Sequence, residues 1–356
     1  MNILFLTNEL NYTCGVTTHL LNLARELSKL RDINISIICG GGSGFDRFEE
    51  IGLSPVVKKT FLHSNRGYLN YARALSSLKR FIKTNKIDII HSHSHYAANL
   101  AFQAAKGTEI ITIQTNHGIL ETKGRLKHFR AEKIIAINEH ILSYILNEKI
   151  APKDKVEFIR CGVHIPPTPP WKAKIKLKII TASRFVHEKG LDIFINAVNL
   201  LPSNDRDKAE FLIAGEGELE DDLKILNKKT GSNIKLLGRV RDMPSLLRDT
   251  HMFIFTSRSG SEGFPAVITE AAAYNNLIIS SDCGGIDSVL ISDVDGLIFK
   301  AGDPYDLMIK LKVAIDGYET FKPMAEHFYN KVKEMYNLDT MIKKHIELYN
   351  SCLNSR

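Results

Sequence analysis

The chain is short of the features that mark several protein classes. Its five cysteines (Cys14, Cys39, Cys161, Cys283, Cys352) are odd in number, scattered and without metal-ligand spacing, which argues against a disulfide framework and for a reducing compartment. No run approaches 18 consecutive apolar residues, so no membrane-spanning helix is expected. The opening MNILFLTNEL has neither the basic start nor the apolar core of a secretory signal. There is one tryptophan, aromatics make up 8% of 356 residues, and they form no RNA-binding signature, so the excess of seven positive charges does not by itself indicate a nucleic-acid partner. The expectation is a cytoplasmic protein, free or resting on the inner face of a membrane. Disorder, collagen and coiled coil are excluded by a composition that is 44% hydrophobic and 24% charged, in a chain long enough for two domains.

What is present is a pattern that runs twice. Short Ile- and Val-rich runs (NILFLT, NISIICG, IDIIHSH, IITIQT, KIIAIN, VEFIR, then LKIITAS, EFLIAG, IKLLG, MFIFTS, LIISS) alternate with amphipathic segments such as Leu20, Leu23, Ala24, Leu27 and Leu30. Continuous apolar strands separated by such helices imply parallel sheets covered on both faces. Between the two series lies HIPPTPPWKAKIKLK, whose four prolines cannot continue a helix. The expected organisation is an α/β protein of two doubly wound domains: residues 1–165, a linker at 166–174, residues 175–330, and a C-terminal helix at 331–356, part of a helical segment of about 325–353, that packs back on the first domain. Sheets of this kind bind ligands at the carboxyl ends of their strands. Charge divides along the same line. Residues 1–165 hold 22 Lys/Arg against 14 Asp/Glu, residues 166–178 add four lysines, and residues 179–356 hold 21 against 26.

In the first half, the loop after NILFLT opens directly into a helix at Gly15 and Val16, and backbone N–H groups there can face a phosphate. The run CGGGSGF from Cys39 superficially matches a dinucleotide fingerprint, but it opens no helix, which argues against a nicotinamide enzyme. His91, His93 and His95 alternate at a strand end and would share one face if the strand continued. Zinc is conceivable there, but no fourth ligand is apparent, and local hydrogen-bonded packing is the reading taken. His117, in TNHG, ends the next strand and is expected to point towards a ligand.

In the second half, LKIITAS leads into RFVHEKG. Arg184 offers a fork and Lys189 a point charge, together enough to neutralise a diphosphate. Gly215 and Gly217 again follow a strand and precede a helix. The strongest signal is SRSGSEGFPAVITEAAAY, with Glu262 in a loop and Glu270 eight positions on, across a helix start near Phe264 or Pro265. Eight residues are about 12 Å of helix rise, too far for a proton-sharing dyad but suited to gripping two parts of an elongated ligand. A carboxylate in the apolar setting of Glu270 needs a designated partner.

In this order, CGVTTH, DIIHSHS, TNHG, RFVHEKG, AGEGELEDDL, LGRV, SEGFPAVITEA, DCGG and DGLIF cover most of the chain, and it resembles glycosyltransferase family 4: retaining, nucleotide-sugar-dependent enzymes of the GT-B fold, two Rossmann-like domains facing across a cleft. The resemblance implies catalytic roles for Glu262, Arg184, Lys189 and His117. It implies donor contacts from Gly15, Val16, Glu270, Gly263, Phe264, Pro265 and Gly215, with Glu270 on the ribose hydroxyls and Arg184 with Lys189 on the departing diphosphate. No metal or other cofactor is expected, since the two cations replace a magnesium ion; UDP is the preferred nucleotide. The sequence departs from the family at Cys14 and Asn275, where Gly is common, and at Arg160, Cys161 and His164, where Pro, Asn and Asp are frequent. Asn275 is the best non-Gly occupant of a left-handed helix end.

Residues 56–83 interleave basic and apolar side chains, among them Lys58, Lys59, Arg66 and Arg73, and Lys123 and Arg125 follow the TNHG loop. These suggest an anionic lipid surface or a phosphate-bearing acceptor, and with it a lipid-linked or lipopolysaccharide-type glycan acceptor in bacterial cell-surface polysaccharide synthesis. The competing readings are a nucleotide-sugar epimerase or phosphorylase of similar fold, a non-catalytic sugar-nucleotide sensor and a nucleic-acid-binding protein. A phosphorylase would need a pyridoxal-binding lysine and usually a longer chain, and only a transferase needs an acceptor in order to turn over.

Overall fold

A computed structural model describes residues 1–62, 64–65, 67–119, 129–167, 171–172, 176–258 and 264–355. It divides into two units, unit 1 comprising residues 1–162 and 338–356 and unit 2 residues 163–337.

Unit 1 is built on a sheet of seven strands: β1 (Asn2–Leu6), β2 (Asn34–Cys39), β3 (Val56–Val57), β4 (Ile89–Ser92), β5 (Ile111–Asn116), β6 (Lys133–Ala136) and β7 (Val156–Phe158). They are all parallel, in the order β3-β2-β1-β4-β5-β6-β7. Helices α1 (Gly15–Leu27), α2 (Asp46–Glu49), α3 (Tyr68–Thr84), α4 (His95–Ala105) and α5 (Glu139–Asn147) connect them. The order reverses between β1 and β4, where open sheets of this kind leave a crevice at the strands' carboxyl ends. The residues reaching that edge are the β1–α1 loop with Gly15, His93 after β4 and His117 after β5.

Unit 2 repeats the plan with β8 (Leu177–Ala182), β9 (Ala209–Ala214), β10 (Lys235–Gly238), β11 (Met252–Phe255), β12 (Leu277–Ser281) and β13 (Leu297–Phe299). These are also all parallel, ordered β10-β9-β8-β11-β12-β13. Its helices are α6 (Leu191–Leu200), α7 (Ser203–Arg206), α8 (Glu220–Thr230), α9 (Met243–Asp249), α10 (Ala266–Ala273), α11 (Pro304–Asp316) and α12 (Lys322–Met335). The unbroken apolar strands are explained by two cores. Ile179, Ile213, Ile254 and Ile279 face α6 and α11, while their neighbours Ile180, Leu212, Phe253 and Ile278 face α10 and α12. Alternation with period two therefore buries every position when both faces are covered.

Residues 325–353, read above as one helical segment, are two helices. α12 ends at Met335 in unit 2, and α13 (Leu338–Asn354) belongs to unit 1. α13 buries Leu338, Met341, Ile342, His345, Leu348 and Tyr349 at helical spacing. Asn275 takes φ +57° just past α10, the left-handed conformation that Asn tolerates. Among the described residues no helix is long and apolar enough to cross a membrane.

Candidate functional site

At the carboxyl edge of the unit 2 sheet, the β8–α6 loop carrying Arg184 and Lys189 is held from two sides. On one side lies the segment after β9. Ser183 N–H donates to the Ala214 carbonyl (3.1 Å), Phe185 N–H to that of Glu216 (2.8 Å) and Leu219 N–H to that of Phe185 (3.0 Å). This backbone-on-backbone packing is why glycines stand at 215 and 217. A Cβ at Gly215 (φ +137°) would lie 1.9 Å from the Ser183 carbonyl oxygen, and one at Gly217 (φ +157°) 2.6 Å from that of Phe185. Gly215 thus sets the distance between the β9 turn and the residues flanking Arg184.

On the other side is the end of β11. Thr256 Oγ1 donates to the Lys189 carbonyl (2.8 Å), Ser257 Oγ to that of Glu188 (3.1 Å) and Arg258 Nη1 to that of His187 (3.1 Å). Arg258 also grips Asp192, in the first turn of α6, with both guanidinium nitrogens (2.7 and 2.6 Å), a bidentate pair that fixes orientation as well as distance. Gly190, at φ +61°, closes the loop against Thr256, whose carbonyl oxygen would be 2.2 Å from a Cβ there. Arg184 is exposed, and Lys189 is half-buried. The sheet edge thus presents a guanidinium and an ammonium on a loop fastened by main-chain contacts.

The helix following β11 begins at Ala266 with Pro265 before it, no side-chain cap and no acid in its first turn. Pro265 is buried, Phe264 stacks on Tyr336 at 5.6 Å, and Glu270 is half-buried in the second turn of α10. Glu262 and Gly263 lie outside the described residues.

In unit 1, α1 starts at Gly15 with Cys14 before it, again without a side-chain cap or a first-turn acid. A Cβ at Gly15 would meet nothing within 4 Å. The neighbouring turns into α4 and α5 are instead capped by Ser94 and Asn138. Orphan N–H groups at an open turn with no repelling carboxylate suit an anion. Val16 is half-buried beside it.

Behind that turn lies a group of imidazoles. β4 ends at Ser92, so His91 is in the strand, His93 follows it and His95 starts α4. His91 and His93 remain neighbours, with ring centroids 4.4 Å apart, whereas His95 leaves the strand and packs on Phe129. His91 bonds Tyr349 Oη (2.7 Å) and Thr115 Oγ1 (2.7 Å). His93 Nδ1 lies 3.1 Å from His117 Nε2, and the two rings stack. His19 meets the His117 ring edge-on at 4.9 Å and places Nδ1 3.4 Å from Cys161 Sγ. His345 rests Nδ1 on the Met341 carbonyl (2.8 Å). Burial pushes all five imidazoles below their ordinary pKa, His117 to about 3 and His345 to about 4, and their mutual proximity adds to the effect in all but His345. At neutral pH His117 is an uncharged hydrogen-bonding group.

Of the basic residues assigned to an acceptor surface, three are among the described residues. Lys58 and Lys59 directly follow β3, and Arg73 lies on α3, whose first two residues, Tyr68 and Leu69, are 97% and 75% exposed. Arg66, Lys123 and Arg125 lie outside the described residues. Thr256, Arg258, Asp192 and Gly190 were not picked out from the sequence, and neither were His19, His345, Tyr349 and Cys161 as a group.

Two Rossmann-like units, each built on a parallel sheet, are the GT-B architecture of glycosyltransferases. Residues 13–165 match Glycosyltransferase Family 4 and residues 170–335 match Glycosyl transferases group 1. The chain belongs to glycosyltransferase family 4. It is 27% identical to an uncharacterized glycosyltransferase of Methanocaldococcus jannaschii over 89% of each chain. It is 25% identical to the Escherichia coli UDP-Gal:alpha-D-GlcNAc-diphosphoundecaprenol alpha-1,3-galactosyltransferase, over 91% of this chain and 90% of that one. Its fold is similar to that of Anabaena HepE, crystallised with UDP-glucose, with a TM-score of 0.81 at 18% identity over 99% of this chain and 100% of that one.

Proposed function

We propose that the protein is a retaining, metal-independent glycosyltransferase that moves a hexosyl unit from a UDP-sugar to a hydroxyl of a lipid-diphosphate-linked glycan at the inner face of a bacterial membrane, in cell-surface polysaccharide synthesis. The observation that carries this reading is the fastened β8–α6 loop. It holds Arg184 and Lys189 where a diphosphate can be neutralised without reorganisation during the reaction. The name of the Escherichia coli relative, which specifies a UDP-linked donor and a diphosphoundecaprenol acceptor, supports the choice of both substrates.

In the proposed reaction the bond between the anomeric carbon and the phosphate oxygen breaks as the acceptor oxygen bonds to the same face of that carbon. The acceptor proton passes to the departing phosphate oxygen. No side-chain nucleophile is required. Arg184 and Lys189 stabilise the charge that develops on the diphosphate, a role for which other enzymes use a divalent ion. Glu270 takes the ribose hydroxyls. Glu262, with the N–H groups of Gly263 and Phe264, addresses the sugar and phosphate. Pro265 precedes the first residue of α10, and Gly215 keeps the β9 turn against the loop. In unit 1, Gly15 and Val16 are assigned to the phosphates and neutral His117 to the sugar. Lys58, Lys59 and Arg73, together with exposed Tyr68 and Leu69, suit an anionic bilayer surface.

Alanine at Arg184 or Lys189 is expected to lower transfer by at least ~10²-fold, the scale of one lost preorganised contact, with the fold intact. Near-normal turnover in both variants would refute the assignment. A chain with no preference for anionic over neutral liposomes at low salt would refute the membrane surface.

A further inference from the structure

His19, His93 and His117 bring one ring nitrogen each within 4.8 Å of one another, and three features set them apart from ordinary packed histidines. First, His93 Nδ1 and His117 Nε2 share a 3.1 Å hydrogen bond, which an ion would replace, and that spacing is close to the edge of a tetrahedron around a metal with nitrogen ligands at 2.0–2.1 Å, about 3.3 Å. The third nitrogen has to close by up to about 1.5 Å to complete that geometry. Second, Cys161 Sγ occupies His19 Nδ1 at 3.4 Å, while His19 Nε2 is buried without a hydrogen-bond partner. A partner on one ring nitrogen, with the other left bare, is how metal-binding imidazoles are oriented. Third, among the described residues no group other than His117 hydrogen-bonds the His93 ring, whose far nitrogen Nε2 is buried without a partner, and His19 and His93 are each 97% buried.

The surroundings favour a neutral, ligand-ready imidazole. The charged groups acting on His19, His93 and His117 are other histidines, with no carboxylate among them. His91 is excluded from the set because Tyr349 and Thr115 already hold both of its nitrogens. An all-imidazole donor set suits zinc, copper or nickel and disfavours magnesium or calcium, which take oxygen ligands.

We infer that His19, His93 and His117 form a three-imidazole site for a divalent transition-metal ion of the zinc class, with a fourth position open to water, and that the ion inhibits transfer by withdrawing His117 from the donor. The binding site stands on the geometry alone. The inhibition rests on the proposed role of His117. The ion takes no part in the reaction, and the enzyme is most active without it.

The test is a titration of the metal-stripped full chain with Co2+, followed by visible absorption, with Zn2+ as the competitor. One equivalent is expected to bind and give the absorption of a low-coordinate nitrogen site. His93→Gln and His117→Ala should each weaken binding at least tenfold, whereas His327→Ala, a histidine 55% exposed on α12, should not change it. His117 stands just beyond a strand end and is only half-buried, so its variant decides the question if His93→Gln fails to fold. Absence of stoichiometric binding, or unchanged binding in His117→Ala, overturns the site and leaves the proposed transfer reaction standing. Stoichiometric binding without loss of transfer activity overturns the inhibition. A metal-free chain that binds Co2+ but transfers no sugar refutes the proposed function and leaves the site standing.

Discussion

Replacing Gly190 by alanine tests whether the diphosphate loop is fastened as described, because the chain supplies its own control. Gly190 and Gly231 share nearly the same left-handed conformation, φ +61°, ψ 31° and φ +66°, ψ 23°. At Gly231 a Cβ would meet nothing within 4 Å, whereas at Gly190 it would lie 2.2 Å from the Thr256 carbonyl oxygen and 2.8 Å from Ile193 Cδ1. Both alanines suffer the left-handed penalty of roughly 1–2 kcal/mol. Only Gly190→Ala must also move backbone, since the Ile193 methyl can rotate away but the Thr256 carbonyl cannot. Parting the two segments disturbs the Thr256 to Lys189 hydrogen bond, worth about 1 kcal/mol, and adds backbone strain of about 1–2 kcal/mol. The expected total is about 3–5 kcal/mol, against about 1–2 for Gly231→Ala.

The chain's only tryptophan makes the comparison clean. Trp171 stacks on Tyr318 at 4.5 Å and 15°, within unit 2, so its fluorescence follows the unfolding of that unit in urea. Lys189 immediately precedes Gly190, and a displacement of about 1 Å at a catalytic group can cost ~10²-fold. Gly190→Ala should therefore lose about that much kcat/KM, while Gly231→Ala changes it less than about twofold. Destabilisation of the two variants by the same amount, within about 0.5 kcal/mol, would show that the loop does not press on Thr256.

Other outcomes follow from the same geometry. Asp192→Asn removes the acceptor charge of a partly exposed pair and should cost under about 1 kcal/mol of stability, yet lower kcat/KM about tenfold by freeing the loop; an equal loss in a chain whose urea midpoint had collapsed would count against a positioning role. Tyr349→Phe leaves His91 Nδ1 without its 2.7 Å partner and should destabilise unit 1 by about 1–3 kcal/mol, measured by circular dichroism, whereas Tyr305→Phe, at 63% exposure, should not. In metal-free buffer, acid should weaken unit 1. Its buried imidazoles have folded pKa values lowered from 6.5, to about 3 for His117 and about 4 for His345. Their contribution is fully present above pH 6.5 and is lost as pH falls from there towards those values, because the unfolded chain takes up protons first. Helical circular dichroism that held steady from pH 7 to pH 4 would contradict this.

Much of the fold was readable because both faces of each sheet are covered: runs such as LKIITA, with Ile179 in one core and Ile180 in the other, announce buried parallel strands without further information. The placement of the cations at 184 and 189 was readable as well, since a strand followed by a short turn into a helix puts them at the carboxyl edge of the sheet. The means of fastening was not. Gly190 and Gly215 look like ordinary turn glycines until the approaching carbonyls of Thr256 and Ser183 are known, and these come from chain segments far from or oblique to the motif. The imidazole group was hidden for the same reason. His19 lies in α1, His93 follows β4 and His117 follows β5, and Tyr349, which holds His91, is 258 residues away from it. Of the alternating histidines, His91 and His93 stay adjacent, and His95 parts from them because β4 ends at Ser92 and helical geometry replaces strand geometry there.

The most direct test of the account is the dissociation constant of UDP for the full chain in a chelating buffer, measured by titration calorimetry for the parent, Arg184→Ala and Lys189→Ala. The account predicts saturable binding of one UDP without metal, weakened at least tenfold in each variant, with Trp171 still reporting the parental urea midpoint. Binding that requires a divalent ion, or that is unchanged when either cation is removed, would contradict it.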